Sequence, residues 1–163
     1  MENVLKIKKY QLVEKLGVHF EYTEKLAPVA SRILAYIILT GKAGVIFEDL
    51  VSDLCASKST ISTHLNHLQD LNKITYFTKI GDRKKYFVIN KDTTVQSIVK
   101  MIDDWENEKQ LHFEIMAYKK EVNKTFKDED KFDLGFHENY IEFLEGATSS
   151  INKLKENLIN YKH

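Results

Sequence analysis

Apolar residues recur at helical spacing along much of the chain, most clearly in the segment SKSTISTHLNHLQDLN, residues 57–72. Its apolar positions follow at intervals of four, three and three, which places them on one helical face: Ile61, Leu65, Leu68 and Leu71. The opposite face carries short polar side chains and almost no charge: Ser59, Ser62, Thr63, Asn66 and Asp70, flanked by Thr60 and His67. Ser, Thr and Asn are poorer helix formers than Glu and Lys. A helix that presents them outward therefore indicates a surface that contacts a partner.

Two helices are predicted before this segment. Residues 2–20 form an amphipathic helix with an apolar face, and Gly17 is expected to loosen its end. The second helix, Leu26–Thr40, has a wide apolar face that marks it as central to the core. Pro28 suits the first turn of that helix and Gly41 suits its end. The predicted apolar face of the first helix is Leu5, Leu12, Leu16 and Phe20.

The middle of the chain predicts a winged helix-turn-helix. Val45–Ile46 is a candidate short strand, Phe47–Cys55 a short helix, and Ser57 the cap of the next helix. After Asn72 the apolar period changes from helical spacing to alternation, which predicts a strand at residues 74–78 and a second strand beginning at Tyr86. Gly81 and Asp82 supply turn chemistry between the two strands. A hairpin directly after a helix-turn-helix is a wing.

Two long helices are predicted at the C-terminal end, at residues 93–126 and 138–161. The last one carries a heptad seam: Tyr140, Leu144, Ala147, Ile151, Leu154, Leu158 and Tyr161. The helix at 93–126 would be ~50 Å long, more than a small winged domain can cover. A symmetric homodimer is the simplest way to bury its stripe. The expected dimerisation residues are Leu5, Leu12, Tyr140, Leu144, Ile151, Leu154 and Leu158.

These elements predict a mainly α fold in three parts. Residues 1–22 form an N-terminal helix used in packing and dimerisation. Residues 23–91 form the winged helix-turn-helix, and residues 92–163 form long dimerisation helices.

Composition narrows the class of protein. The chain has 163 residues, 43% hydrophobic and 29% charged, which is ordinary for a soluble globular protein. The sequence contains no run of 18 apolar residues, so no membrane span is predicted. The N-terminus has no apolar core of the signal-peptide kind. The single Cys55 excludes an internal disulfide framework and fits a reducing compartment. We therefore expect a cytoplasmic protein.

The zero net charge hides an asymmetry between the two parts of the chain. Residues 1–91 hold fourteen Lys and Arg against nine Asp and Glu, a formal charge of +5. Residues 92–163 hold ten against fifteen, a formal charge of −5. Nucleic-acid binding needs a local basic footprint, which the first part offers. A random fluctuation of charge along the chain is the alternative explanation.

The segment DLVSDLCASKSTISTHLNHLQDLNKITYFTKIGDRKKYFVI resembles the winged helix-turn-helix of MarR-type transcriptional regulators. Leu26–Gly41, with Pro28 and Arg32 ahead of an apolar run, is most similar to the GbsR-like branch. The resemblance covers about residues 20–90 and implies a homodimer that binds palindromic operator DNA and represses or activates a nearby gene. Of the two we expect a repressor. Residues 59–65 also resemble the corresponding helix of ArsR-type metal sensors. The two Cys of that family's typical metal motif are absent from the comparable stretch here, residues 46–50.

In this interpretation residues 57–71 lie in the major groove and the wing, residues 79–86, lies at the minor groove or backbone. Ser57 at the helix N-terminus and Lys58 would meet phosphate. Asn66 can bond an adenine edge, and Arg83 is the best minor-groove candidate. The helix carries no Arg, so we expect modest base readout and a larger share from DNA shape. The expected DNA contacts are Ser57, Lys58, Ser59, Thr60, Ser62, Thr63, Asn66, His67, Lys79, Arg83, Lys84 and Lys85.

The sequence contains three further groups of candidate site residues. His64 and His67 have helical metal-ligand spacing, but no carboxylate or Cys has ligand spacing beside them, so we expect no metal and no cofactor. Cys55 fits a small packing residue better than a redox sensor, because its neighbours in sequence are apolar and none is basic. Aromatic residues are candidates for a small-molecule effector pocket, although an aromatic stripe is more often core: Tyr22, Tyr36, Trp105, Phe113 and Tyr118.

Two functional classes follow. No Gly-rich phosphate loop, nucleophile elbow or paired catalytic carboxylate is visible, so we expect no enzyme. The leading hypothesis is a homodimeric, DNA-binding transcriptional regulator. The alternative is a winged-helix module for protein–protein assembly that docks through its C-terminal helices and does not bind DNA. The polar helix face and the four-charge wing favour DNA.

Overall fold

A computed structural model describes residues 2–160 of the chain. Its helical part begins with α1 (Glu2–Thr23), α2 (Pro28–Thr40), α3 (Phe47–Asp53) and α4 (Lys58–Asp70), and a 3₁₀ turn at Gly41–Ala43 follows α2. The strands β1 (Ile74–Thr78) and β2 (Lys85–Ile89) come next. The chain continues with α5 (Lys91–Asn123), a 3₁₀ turn (Asp128–Asp130) and α6 (Gly135–Asn160). This order confirms the predicted mainly α, winged helix-turn-helix fold.

The chain divides into two compact units, one ending at Thr93 and one beginning at Thr94. In the first unit, α2 lies at the centre of the core. Ile33 and Ile37 in this helix are 0% and 1% exposed. Burying a side chain of this size contributes about 1.5–3 kcal/mol. The other elements surround α2 and supply most of the remaining core: Val13, Leu50, Ile61, Leu65, Leu68, Ile74 and Phe87.

Helix α1 departs from its predicted pattern. Leu16 and Phe20 pack against the core, but Leu5 and Leu12 are 63% and 40% exposed and Val13 is buried instead. The expectation that Gly17 loosens the helix end is wrong, because α1 continues to Thr23. A Cβ at position 17 would stand 3.0 Å from Cγ of the Arg32 side chain. Gly17 therefore lets α2 approach α1 closely.

Arg32 joins α1 to α2. Its Nη2 lies 2.9 Å from a carboxylate oxygen of Glu14, and its Nη1 lies 2.6 Å from one of Glu21. The same Nη1 donates to the carbonyl oxygen of Pro28 at 2.9 Å. The guanidinium fork satisfies three partners at once, which suits it to fixing two elements in one orientation.

A second network joins α1, α2 and α3 around Tyr36, which is 6% exposed. The Tyr36 hydroxyl donates to Asp53, the last residue of α3. Lys9 Nζ stands 3.7 Å from the Tyr36 ring centroid and donates to Thr40 Oγ1 at 2.8 Å. Burial first, and then the bond to Asp53, raise the pKa of Tyr36, so the phenol keeps its proton and remains a donor. The network anchors the residue that precedes the helix-turn-helix turn.

Helix α4 ends where Asn72 takes a left-handed backbone, φ 55°. The Lys73 N–H then donates to the Leu68 carbonyl at 2.9 Å, which caps the helix end. Lys73 Nζ also pairs with Glu24 at 2.6 Å. Leu71 was predicted to lie in the buried stripe, but it occupies the C-cap and is 42% exposed.

The wing is an antiparallel hairpin whose register runs from Ile74 opposite Ile89 to Thr78 opposite Lys85. Val45 adds an isolated bridge to Phe87, with backbone N–O distances of 2.9 and 2.8 Å. The predicted short strand at 45–46 is thus a single bridging residue. Gly44 beside it has φ 74°, and a Cβ there would lie 2.8 Å from Tyr86 Cβ. Only glycine fits this approach of the chain to β2.

In the second unit, α5 and α6 are joined by polar contacts. His137 Nδ1 lies 3.0 Å from His112 Nδ1, and His137 Nε2 lies 2.8 Å from Lys119 Nζ. Beside them the Tyr140 hydroxyl donates to Glu108 at 2.9 Å. Burial, then Lys119 and His112, lower the pKa of His137. A neutral His137 that accepts from Lys119 carries its proton on Nδ1 and donates it to His112.

The predicted heptad seam of α6 is buried at Leu144, exposed at Leu154 and half-buried at its other described positions. Leu144 is 1% exposed and Leu154 is 47% exposed. Tyr140, Ile151 and Leu158 are half-buried. Tyr161, the last predicted seam residue, lies outside the described residues. Within residues 2–160 no helix is both long and apolar enough to cross a lipid bilayer.

Candidate nucleic-acid interface

The start of α4 is built by a hydroxyl cluster. Ser57 caps the helix by accepting a hydrogen bond from the Thr60 N–H at 3.1 Å. Its Oγ also lies 2.9 Å from Ser59 Oγ and 2.8 Å from Thr60 Oγ1. Three predicted DNA contacts are therefore already bonded to one another. These hydrogen bonds stabilise the helix N-terminus, so only the remaining donors and acceptors of the hydroxyl groups can bind a ligand.

The outer face of α4 is open, as its pattern predicts. Ile61, Leu65 and Leu68 are buried beneath it. Lys58 also points to solvent. Among the described residues, no side-chain partner meets the four exposed polar residues in the middle of the helix: Ser62, Thr63, Asn66 and His67. Amide, hydroxyl and imidazole groups in this state offer hydrogen-bond donors and acceptors of the kinds that base edges can pair with.

The tip of the wing is a tight turn. The Asp82 N–H donates to the Lys79 carbonyl at 3.0 Å, and Gly81 supplies the positive φ of 79° that the turn needs. The Asp82 carboxylate accepts from the Lys84 N–H at 2.9 Å and from the Tyr86 hydroxyl at 2.6 Å. The bond from Tyr86 first, and then that from Lys84, lower the pKa of Asp82. The turn is therefore held by an ionised carboxylate.

The four wing cations fall into two kinds. Lys79 Nζ stands 3.8 Å from the Tyr86 ring centroid, and Lys85 Nζ stands 4.2 Å from that of Tyr76. A cation held over an aromatic face is partly satisfied. Arg83 and Lys84 are exposed, and their charged groups meet no hydrogen-bond or ion-pair partner within residues 2–160. The sequence pattern treats these four cations as one group. In the structure, Arg83 and Lys84 can bind a ligand directly, whereas Lys79 and Lys85 must first leave an aromatic ring.

The five predicted effector-pocket residues differ in how exposed they are. Tyr22 is 79% exposed with Lys25 Nζ over its ring at 4.9 Å, whereas Tyr36 belongs to the buried network. In the second unit Trp105 is half-buried, and Phe113 and Tyr118 are 40% and 68% exposed. Whether these residues form a pocket stays a prediction.

Sequence reasoning missed several cavities in the first unit, two of which are lined by residues far apart in sequence. One, of ≈ 450 Å³, is lined by residues that include Tyr10, Arg32 and Cys55. The other, of ≈ 540 Å³, is mostly apolar, with Lys42 and Lys91 among its lining residues. Each is formed by residues far apart in sequence, so no local pattern announces it.

The prediction of Cys55 as a small packing residue is wrong. Cys55 is exposed in the turn between α3 and α4, with φ 50° and its Sγ 3.7 Å from the Ser52 carbonyl oxygen. The redox hypothesis for this thiol remains untested. No three His, Cys, Asp or Glu side chains meet in a metal-binding arrangement in the part of the chain that the structure describes.

A helix-turn-helix with a two-stranded wing, flanked by long helices, defines a winged-helix protein. A solved structure described as a transcriptional regulator has this fold, with a TM-score of 0.50 at 19% identity over 95% of this chain and 98% of that one. A mutant of S. aureus MepR gives a TM-score of 0.39 at 16% identity over 96% and 94%, a likeness too low to bear on the fold. No protein-family model and no curated protein matches the sequence.

Proposed function

We propose that this protein is a MarR-type transcriptional regulator that binds double-stranded DNA as a homodimer. The observation that carries the proposal is the free polar face of α4. Ser62, Thr63, Asn66 and His67 are exposed and unbonded among the described residues, directly above a fully packed apolar face. A helix whose position is fixed and whose outer side chains are unbonded suits insertion into the major groove.

The wing supports the same proposal by its charge. Arg83 and Lys84 project from a turn that Asp82 holds in place. Arginine in a narrow minor groove and lysine on phosphate are ordinary contacts for such a hairpin. The hydroxyl cluster at Ser57 and the free N–H groups of the first turn suit a phosphate at the start of α4.

The homodimer is supported by exposed apolar surface on the terminal helices. Residues such as Leu5, Phe143 and Leu154 are 63%, 59% and 47% exposed in the single chain. Two copies related by a twofold axis would place two α4 helices about 34–36 Å apart and read a palindromic operator. Repression, the GbsR-like branch and a small-molecule effector belong to this proposal through the sequence resemblance alone.

The test measures binding to a duplex that the full-length chain selects from a random-sequence pool. Asn66→Ala is expected to cost about 1–3 kcal/mol on the selected duplex and little on unrelated DNA. Arg83→Ala should weaken both and reduce the salt slope by about one per subunit. Fluorescence anisotropy at several salt concentrations gives both numbers, and Lys153→Ala, with the same change of charge on α6, serves as the control.

The outcomes separate the two functional classes. Equal losses for Asn66→Ala on selected and unrelated DNA would assign Asn66 a structural role. Absence of salt-dependent duplex binding by the unmodified chain would reject the regulator and favour the assembly module that docks through its C-terminal helices.

A further inference from the structure

Ile80 stands alone at the tip of the wing. Its exposure is 108% of the reference value, above every other exposed large apolar side chain among the described residues. Its neighbours in sequence are Lys79 and Gly81, followed by Asp82 and Arg83. A single exposed isoleucine is common on protein surfaces. This one occupies the outermost position of a charged hairpin, and that position gives it a specific use.

The turn does not require an isoleucine at position 80. Gly81 takes the positive φ, and the hydrogen bond that closes the turn runs from the Asp82 N–H to the Lys79 carbonyl. Residue 80 is the second of the four turn residues, a position that most residue types can fill. A polar residue there would leave less apolar surface in water. Folding of the hairpin therefore does not explain the choice.

The tip is also held in one geometry. The Asp82 carboxylate binds both the Lys84 N–H and the Tyr86 hydroxyl, and the Tyr86 ring stacks on Phe77 with centroids 5.4 Å apart. Lys79 covers the Tyr86 ring. Several contacts thus fix the loop that carries Ile80, so little further ordering is needed when it meets a partner.

We propose that Ile80 is an apolar wedge that enters the DNA minor groove and packs against a base step, where it helps bend the duplex. This proposal rests on the DNA binding proposed above. Apolar side chains inserted at a base step partly unstack it and kink DNA, in proteins that also place Arg and Lys in the minor groove. Arg83 and Lys84 supply the basic flank on the same loop. A protein partner would gain little from Ile80, because its neighbours in sequence, Lys79 and Gly81, add no apolar side chain to it.

The proposal adds indirect readout to the interface. A wedge favours steps that unstack easily, such as pyrimidine–purine steps, without any hydrogen bond to a base. Helix α4 has no Arg, so part of the sequence preference would come from deformability of the DNA beneath the wing.

The experiment uses the full-length chain and a 30-bp duplex selected from a random pool, with a fluorophore pair on its two ends. Ile80→Ala is expected to bind about tenfold more weakly, from the lost apolar contact. The same substitution should reduce the change in energy transfer between the two fluorophores, which reports bending of the duplex. The salt slope should stay unchanged, because no charge is removed. Position 80 touches nothing in the core, so thermal unfolding should not change.

A matched pair isolates the apolar character. Val and Thr have the same shape, so Ile80→Val should keep binding within about threefold while Ile80→Thr loses most of what Ile80→Ala loses. If Ile80→Ala binds and bends the duplex like the unmodified chain while Arg83→Ala is weakened, the wedge is wrong and the DNA-binding proposal stands. If the unmodified chain selects no duplex, both proposals fail.

Discussion

The two units of the chain bury their apolar residues to very different extents. The first unit has one continuous core to which four helices and both strands contribute. In the second unit, the buried residues among those described are Ile98, His137, Ile141 and Leu144. Yet α5 and α6 carry many apolar and aromatic side chains that stay exposed in the single chain, among them Leu111, Phe136, Phe143 and Ile159.

This difference in burial indicates that the two units have different roles. The first unit buries many apolar side chains in one core, although others such as Leu5 on α1 stay exposed, and it presents a polar helix face and a charged wing outward. The second unit leaves apolar surface that water disfavours, and exposed apolar patches of this kind mark interaction sites. A second copy of the chain is the occupant that our proposal gives them.

The largest expected effect tests the core of the first unit. Ile33→Ala removes a side chain that is 0% exposed and should cost about 2–5 kcal/mol of unfolding free energy. Leu154→Ala, at a position 47% exposed in the single chain, should cost much less at protein concentrations too low for association. Urea unfolding of both variants gives the two values. Similar losses of unfolding free energy in the two variants would contradict the difference in burial between the units.

The next effect concerns association. Leu154→Glu places a charge at the exposed position of the α6 seam and should weaken self-association about tenfold or more. Sedimentation velocity over a range of concentrations measures this change. Lys153→Glu on the neighbouring exposed position is the control, because it alters charge without removing apolar surface. If Leu154→Glu associates like the unmodified chain, the α6 seam at Leu154 is not the interface.

The smallest effect is a pH dependence located in the second unit. The folded state lowers the pKa of His137, whereas the unfolded chain has the ordinary value near 6.5. The unfolded state therefore takes up the proton first as pH falls. The stabilisation is complete above about pH 6.5 and is lost progressively below it. Lys119 and His112 face the imidazole and disfavour its charge, while the Glu108 carboxylate accepts a hydrogen bond from Tyr140, three positions along α6 from His137.

Urea midpoints measured between pH 5 and 8 test this dependence. His137→Gln should flatten the acid side of the profile, since the amide does not titrate. His67→Gln, at an exposed position, should leave the slope as it is. A slope that survives in His137→Gln would mean that other groups cause it.

Local pattern predicted much of the fold. The period of the apolar positions located the helices and the hairpin, and Ser57, Gly41 and Gly81 marked caps and turns at places where backbone chemistry is local. Predictions failed where the answer depends on a neighbour in space. Leu5 and Leu12 match the helical period of α1, but α2 meets the helix on the side of Val13.

For the candidate site and for the contacts elsewhere in the fold, local spacing again predicts some features, and others depend on residues far apart in sequence. The open face of α4 follows from the spacing of Ile61, Leu65 and Leu68, and the structure agrees with it. The bond between Tyr36 and Asp53 spans 17 residues, and the one between His137 and His112 spans 25. No sequence period reports such pairs. The retention of Lys79 and Lys85 on tyrosine rings depends on the hairpin register, which pattern alone left open.

The tyrosine-bound lysines have a consequence for counterions. Each cation that settles on a phosphate expels about 0.9 of a condensed counterion, so the salt slope counts the charges that engage. Lys79 and Lys85 would have to leave an aromatic face first, giving up about 0.5–1 kcal/mol each. In the proposed complex each wing would then release roughly two counterions instead of four. The aromatic rings of the hairpin would thus limit non-specific, salt-driven attachment and leave more of the binding energy to the polar face of α4.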